Sequence, residues 1–197
     1  MKNNYMKIRL FLLILLLCRL VYASSLDSTA FYVNSAVLET EKGNVIITFF
    51  EKEAPNHVNN FKKLVETGFY SGKIFHRVIE DFIIQTGKTE KKDLELIAPE
   101  INKIHFRGSI GAARKDDKVN PEMKSDPTEF YIALRPKPEL DGKYTIFGRV
   151  AKGMSIVEEI SKLKTNDKDL PNEPVKIIKV YLDRFFDSEK YEYYSNQ

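Results

Sequence analysis

Arg77 lies in the run Phe75-His76-Arg77-Val78-Ile79, and Gln85 closes the run Phe82-Ile83-Ile84-Gln85 just after it. Both runs alternate apolar and polar side chains as short strands do, joined by Glu80-Asp81. On a strand of period two, Phe75, Arg77 and Ile79 share one face, with His76 and Val78 on the other. Arginine is almost never fully buried unless paired. Arg77 is therefore either a side chain lying flat on the apolar rim of an edge strand or a donor held at a site. As a donor it stays charged and offers several N–H groups in a rigid fork, while Gln85 supplies an amide beside Phe82. The chemistry open to this pair is hydrogen-bond donation to a bound ligand.

Other catalytic chemistries find little support. The three histidines, His57, His76 and His105, show no HxxxH or HxH spacing, and the one cysteine, Cys18, sits far from them in the chain. No metal site and no cofactor are expected from such a set. Neither a GxSxG elbow nor a Walker loop nor a GxGxxG phosphate cradle is present. Glu51 and Glu53 read as part of a solvated turn rather than as paired acids.

The elements that must position Arg77 and Gln85 are mostly strands. Val37–Thr40 and Val45–Phe50, with Lys42-Gly43-Asn44 between them, read as a β-hairpin. Pro55 marks a helix start, Val58, Phe61, Leu64 and Val65 follow at helical spacing, and Gly68 is placed to end the helix in a left-handed conformation. From Ile74 to Ile132 short apolar runs alternate with polar loops, the pattern of an antiparallel barrel. Lys115–Asp126, followed by Pro127, reads as a surface loop. Ser155–Leu163 reads as a second helix with Ile156, Ile160 and Leu163 on one face, and Val175–Leu182 as a final strand. There are no internal repeats. The fold class expected is mainly β, a closed antiparallel barrel capped by helices, closure removing exposed strand edges.

At 197 residues, 43% hydrophobic and 30% charged, the chain suits one globular domain. Its net charge of +3 comes from the N-terminus, where residues 1–23 hold Lys2, Lys7, Arg9 and Arg19 and no acid. Removing those four from the 31 basic residues leaves 27 against 28 acidic ones, a net charge of −1. No nucleic-acid footprint is expected on that balance. Residues 1–23 run from basic residues through the apolar stretch Leu10–Cys18 to Val21-Tyr22-Ala23, the order of a secretory signal peptide. The stretch is short for a membrane span. Cleavage after Ala23 leaves no stable membrane span and no cysteine, which suits an oxidising compartment. The alternatives are an uncleaved anchor or lipidation of Cys18, against which stands Leu17 in a position usually held by a small residue. The organisation expected is a signal peptide at 1–23, a linker at 24–35, one domain at 36–184 and a fraying tail at 185–197.

The motifs FHRVIEDFIIQTG (75–87), GSIGAAR (108–114), TEFYIAL (128–134) and LDGKYTIFGRV (140–150), with APNHVNNFKKLVETGFYSG (54–72) ahead of them, resemble the cyclophilins, which are peptidyl-prolyl cis-trans isomerases. The resemblance runs in the family's own order from about Val37 to about Asp183, and the variant RKDDKVNPEMKSDPTEFYI looks like a bacterial branch. It implies an eight-stranded closed barrel with two helices. It also implies catalytic roles for Arg77 and Gln85, and a substrate groove formed by Phe75, Phe82, Ile83, Ala113, Arg114, Glu129, Tyr131, Leu140 and Tyr144. Arg77 would donate to the amide and Gln85 would hold the substrate backbone. Phe82, Ile83, Tyr131 and Leu140 would receive the proline ring. Glu129 stands where many members have glutamine, where it could orient Arg77 or compete with substrate for it. Tyr131 stands where many have phenylalanine, Tyr144 where eukaryotic members usually have histidine, and Glu139 at a frequent tryptophan. Gly87-Lys88 departs from the usual GGD. The implied partners are proline-containing unfolded or partly folded polypeptides, taken by a monomer in the periplasm. The alternative is a non-catalytic chaperone or peptide-binding module using the same groove.

Overall fold

The computed structural model describes residues 31–188. The described residues fall into two units, Asn34–Phe185 and an end unit that takes in residues 31–33 and 186–188. In the end unit the Asp187 N–H donates to the Phe31 carbonyl at 2.9 Å. The rings of Tyr32 and Phe186 meet edge-on with centroids 5.3 Å apart. The signal peptide, most of the linker and nearly all of the tail expected from the sequence lie outside the described residues.

The elements in chain order are β1 (Tyr32–Thr40), β2 (Gly43–Phe49), α1 (Pro55–Glu66), β3 (Arg77–Ile79), β4 (Ile83–Thr86), β5 (Ser109–Ala112), β6 (Phe130–Ala133), a single 3₁₀ turn (Pro138–Leu140), β7 (Ile146–Lys152), α2 (Met154–Ser161) and β8 (Ile177–Phe186). The strands form one eight-stranded sheet in the order β3-β4-β6-β5-β7-β2-β1-β8. Every strand pair with a described register is antiparallel. The named strands leave β3 and β8 as the two ends of the sheet, so the closed barrel is not among the strand pairings. The runs beside these ends do meet. Gly72 N–H donates to Ile177 O at 2.8 Å, Ile177 N–H to Lys73 O at 2.8 Å and Phe75 N–H to Val175 O at 3.1 Å.

The hairpin expected at 37–50 is β1–β2, with Thr40 opposite Gly43 across the two-residue turn Glu41-Lys42. β1 begins at Tyr32, earlier than expected, so the strand takes in residues read from the sequence as linker. α1 starts at Pro55 and buries His57, Val58, Phe61 and Val65. Its first-turn N–H groups have no local side-chain cap. The Glu100 carboxylate serves instead, accepting from Asn56 N and His57 N at 3.1 Å each and lying 2.6 Å from His57 Nδ1. A carboxylate there also suits the positive end of the helix dipole. At the other end Gly68 adopts φ +71°. Gly68 N–H bonds Val65 O and Phe69 N–H bonds Leu64 O, which satisfies the last carbonyls.

Phe61, delivered by α1, packs against Tyr70, Phe130 and Phe147 with centroids 5.1, 5.5 and 5.6 Å away. Ile84, Ile110 and Ile132 extend this core along the sheet. α2 covers 154–161 rather than 155–163 and buries Val157 and Ile160 most deeply. Ile156 and Leu163, expected on the core face, are only partly buried, because Val157 rather than Ile156 points inward.

Candidate active site

Four neighbouring strands bring the residues of interest into one line. Arg77 lies opposite Gln85 across β3 and β4, Gln85 opposite Tyr131 across β4 and β6, and Tyr131 opposite Gly111 across β6 and β5. Directly opposed residues share a face of the sheet. The residues alternating with them, Val78, Ile84, Phe130 and Ile132, belong to the core. Guanidinium, amide and phenol therefore stand in a row on the face turned away from the core.

At the β3 end of the row the guanidinium stays in contact with water. Arg77 Nε donates to Asp169 Oδ2 at 3.2 Å, and both side chains are 40% exposed. Gln85 Nε2 donates to Glu129 Oε2 at 2.7 Å, and His76 Nε2 lies 3.2 Å from the same oxygen. Glu129 thus engages Gln85 and His76 rather than Arg77, whose carboxylate partner is Asp169. Burial pushes the Glu129 carboxyl up, but the hydrogen bonds from His76 and Gln85 and the nearby charges of His76 and Lys88 outweigh it. The group is held below its ordinary value and is ionised at neutral pH. An ionised carboxylate only accepts. It therefore draws the Gln85 NH2 toward itself and leaves the amide oxygen and the second N–H for a ligand.

At the β5 end Tyr131 and His105 are closed in. The Tyr131 ring lies over Gly111, where an added Cβ would come within 2.2 Å of Cζ. Tyr131 Oη is 2.7 Å from His105 Nε2, and His105 Nδ1 is 2.7 Å from Asp141 Oδ1. Asp141 Oδ1 also accepts from His105 N at 2.7 Å. Burial raises the Asp141 carboxyl, but the backbone and ring hydrogen bonds of His105 outweigh it and hold it below its ordinary value. With Nδ1–H given to Asp141, Nε2 accepts a hydrogen bond from the Tyr131 hydroxyl. Burial pushes the Tyr131 phenol well above the ordinary tyrosine range, so it stays protonated. The Tyr144 ring stands edge-on to Tyr131 at 6.0 Å and carries the Arg114 guanidinium 4.7 Å over its face.

The other residues singled out in the sequence divide by environment. Ile83 is buried on β4 two residues before Gln85 and so on the same face. Phe82 is half-buried and has Lys137 Nζ 4.4 Å from its ring centroid. Leu140 is half-buried in the 3₁₀ turn, and Ala113 is buried just after β5. Arg114 donates to Lys143 O at 2.7 Å and Lys115 O at 3.0 Å and pairs with Asp117, so its side chain braces the loop and its backbone is what remains for a ligand. Glu139 is exposed.

Phe75 requires a correction. It is fully buried in the core and does not share a face with Arg77. β3 begins only at Arg77, so the period of two fails at His76, and Phe75 and Val78 both turn inward. His76 is thereby delivered to Glu129. Reading along the chain missed Asp169, His76, His105, Asp141 and Lys137. Asp169 reaches Arg77 across 92 residues and Asp141 reaches His105 across 36, and no spacing rule spans such separations.

Residues 35–182 match the family described as "Cyclophilin type peptidyl-prolyl cis-trans isomerase/CLD". The chain is 37% identical over 146 residues to the peptidyl-prolyl cis-trans isomerase ppi1 of Schizosaccharomyces pombe, which covers 72% of this chain and 94% of the relative. It is 34% identical over 161 residues to the human peptidyl-prolyl cis-trans isomerase-like 1, covering 73% of this chain and 89% of the relative. Among solved structures, a cyclophilin-type peptidyl-prolyl cis-trans isomerase of Cryptosporidium parvum, crystallised in the presence of the dipeptide Ala-Pro, superposes with a TM-score of 0.68 at 25% identity, covering 76% of this chain and 98% of that one. The chain belongs to the cyclophilin-type peptidyl-prolyl cis-trans isomerases, and its activity is that of an isomerase.

Proposed function

We propose that this protein accelerates rotation about X-Pro bonds during the folding of exported proteins, with Arg77 as the donor that stabilises the twisted amide. The X-Pro bond resists rotation because the nitrogen lone pair is conjugated with the carbonyl, a barrier of roughly 18–20 kcal/mol. Uncatalysed exchange takes on the order of tens to hundreds of seconds. No bond is broken, so neither a nucleophile nor a cofactor is needed. A catalyst need only bind the twisted amide better than either planar form. In that state the nitrogen becomes pyramidal and its lone pair can accept a hydrogen bond, which a guanidinium that cannot lose its charge is suited to donate. Gln85 holds the substrate backbone beside it. Tyr131, Ile83, Phe82 and Leu140 receive the proline ring, and Ala113 and the Arg114 backbone continue the groove.

The observation that carries this reading is the row Arg77, Gln85, Tyr131 on one face of three adjacent strands. The test is turnover on a short X-Pro peptide by the unmodified protein and by Arg77→Ala, with circular dichroism as the folding control. Groove binding without turnover in the unmodified protein would make it a peptide-binding module instead.

The sheet reads as a closed barrel whose seam is carried by Gly72, Lys73 and Phe75 on one side and Val175 and Ile177 on the other. Export to the periplasm, with cleavage after Ala23, rests on the sequence of residues 1–23, as does the alternative of attachment through an uncleaved signal or Cys18. Among the described residues no helix is long and apolar enough to cross a membrane. The bacterial placement rests on the run 114–132, since the curated relatives named above are eukaryotic. The substrates are proline-containing unfolded chains, taken by a monomer. N-terminal sequencing of the protein recovered from cells distinguishes a chain starting at Ser24 from one starting at Met1 or Cys18.

A further inference from the structure

We infer that Asp169 is a positioning residue for Arg77, fixing which nitrogens of the guanidinium face the substrate. The inference rests on the reading of Arg77 as the donor. Asp169 makes two bonds to the same short stretch of β3. Its carboxylate Oδ2 accepts from Arg77 Nε at 3.2 Å, and its backbone carbonyl accepts from Val78 N at 2.8 Å. One residue thus ties down both the strand next to Arg77 and the guanidinium itself. With Nε engaged, both terminal nitrogens are left for the substrate, and among the described residues neither has a carboxylate or carbonyl partner.

The loop that carries Asp169 is itself built. Thr165 and Pro171 bridge antiparallel, and Asn172 N–H donates to Lys164 O at 2.9 Å. Inside the loop Asn166 Oδ1 accepts from Lys168 N at 2.9 Å and Leu170 N at 3.2 Å, and Asp169 N–H donates to Asn166 O at 3.0 Å. Asp169 takes φ +60°, the left-handed region that aspartate and asparagine tolerate better than most residues. Both members of the ion pair are 40% exposed, and such a pair adds little to stability. Its value lies in orientation. A long side chain with several free torsions is confined to the rotamers that keep Nε on Oδ2, which removes a reorganisation step before the donor can act.

Two substitutions separate the carboxylate from the backbone. Asp169→Gly keeps the left-handed turn and the carbonyl bond to Val78 and removes the acceptor. Asp169→Asn keeps the turn and retains an oxygen that can accept from Nε. With X-Pro peptide turnover as the readout, Asp169→Gly should lower kcat/KM by roughly tenfold to a hundredfold, mainly through kcat. Asp169→Asn should restore most of that loss. The unfolding midpoints of the two variants should stay close to that of the unmodified protein. In nitrogen-resolved NMR the Arg77 Nε–H resonance, assigned by its loss in Arg77→Ala, should shift in the glycine variant and move back toward its original position in the asparagine one. A glycine variant within about twofold of the unmodified protein, the scatter of an ordinary surface substitution, overturns the inference, as does a loss that asparagine does not restore. Arg77→Ala measured alongside separates the two levels. If it keeps turnover, the reading of Arg77 falls; if it loses turnover while Asp169→Gly keeps it, only the positioning role falls.

Discussion

The two ends of the row on the outer face of the sheet treat their polar groups in opposite ways. At the β3 end Arg77, Gln85, His76 and Glu129 are each half-buried, with Gln85 and His76 on Glu129 and Arg77 on Asp169. At the β5 end Tyr131 and His105 are 3% and 2% exposed and bond to each other, and His105 bonds Asp141. Each end holds a histidine beside a partly exposed carboxylate, but only the first adds an exposed guanidinium and an amide that a ligand can reach. The second turns a tyrosine and a histidine into a floor whose outward character is that of an aromatic ring. Residue type does not decide this. What decides it is whether the polar atoms find partners among themselves before a ligand arrives.

If that division is right, substitutions at the two ends should separate turnover from stability. The largest effect is expected from Arg77→Ala, where loss of one preorganised donor should lower kcat/KM by about 10²–10³, or about 2.7–4 kcal/mol. Its side chain is 40% exposed, so the unfolding midpoint should barely move. An Arg77→Ala protein that fails to fold would make the residue structural and erase the contrast.

At the closed end the order is reversed. Gly111→Ala places a methyl group 2.2 Å from Tyr131 Cζ and 2.4 Å from its hydroxyl oxygen. The ring must lift away from His105, and overpacking of this kind costs about 1–3 kcal/mol in denaturant or thermal unfolding. Tyr131→Phe should cost about 1 kcal/mol, because it leaves His105 Nε2 without its partner. Turnover in that variant should stay within a few-fold of the unmodified protein, since the pocket uses the face of the ring. If Tyr131→Phe lost as much activity as Arg77→Ala, the hydroxyl would belong to the reacting site.

Acid should weaken both ends, with a smaller effect. Glu129 and Asp141 both have folded-state values depressed below the ordinary 4.5 and 3.8. A depressed carboxyl contributes stability that is present above its unfolded value and lost as pH falls through its folded value. The Glu129 contribution should therefore begin to fall below about pH 4.5 and that of Asp141 below about 3.8. Unfolding midpoints across this range should fall less steeply in Glu129→Gln and in Asp141→Asn than in the unmodified protein. A variant whose profile matches that of the unmodified protein would mean that its carboxyl does not carry the linkage assigned to it.

Much of the fold is legible along the chain because its signals are local. Pro55 with Val58, Phe61 and Val65 at helical spacing marks α1, Gly68 marks its end, and alternation with a tight turn marks β1 and β2. The motif from Phe82 to Gln85 places an amide next to apolar residues, and β4 presents it as expected. Phe75 was misplaced for an equally local reason: the alternation that put it beside Arg77 assumes a strand that has not yet begun. What the sequence by itself determined is the first hairpin, the two helices, the strands that carry Arg77 and Gln85, the last strand, and the family. Only the tertiary structure decided which carboxylate each polar group meets. Asp169 reaches Arg77 from a loop 92 residues away, and Glu129 joins Gln85 across 44 residues. Hydrogen bonds are made between atoms within about 3 Å whatever their separation in the chain, whereas the periodicities readable from sequence extend only over neighbouring turns and pleats.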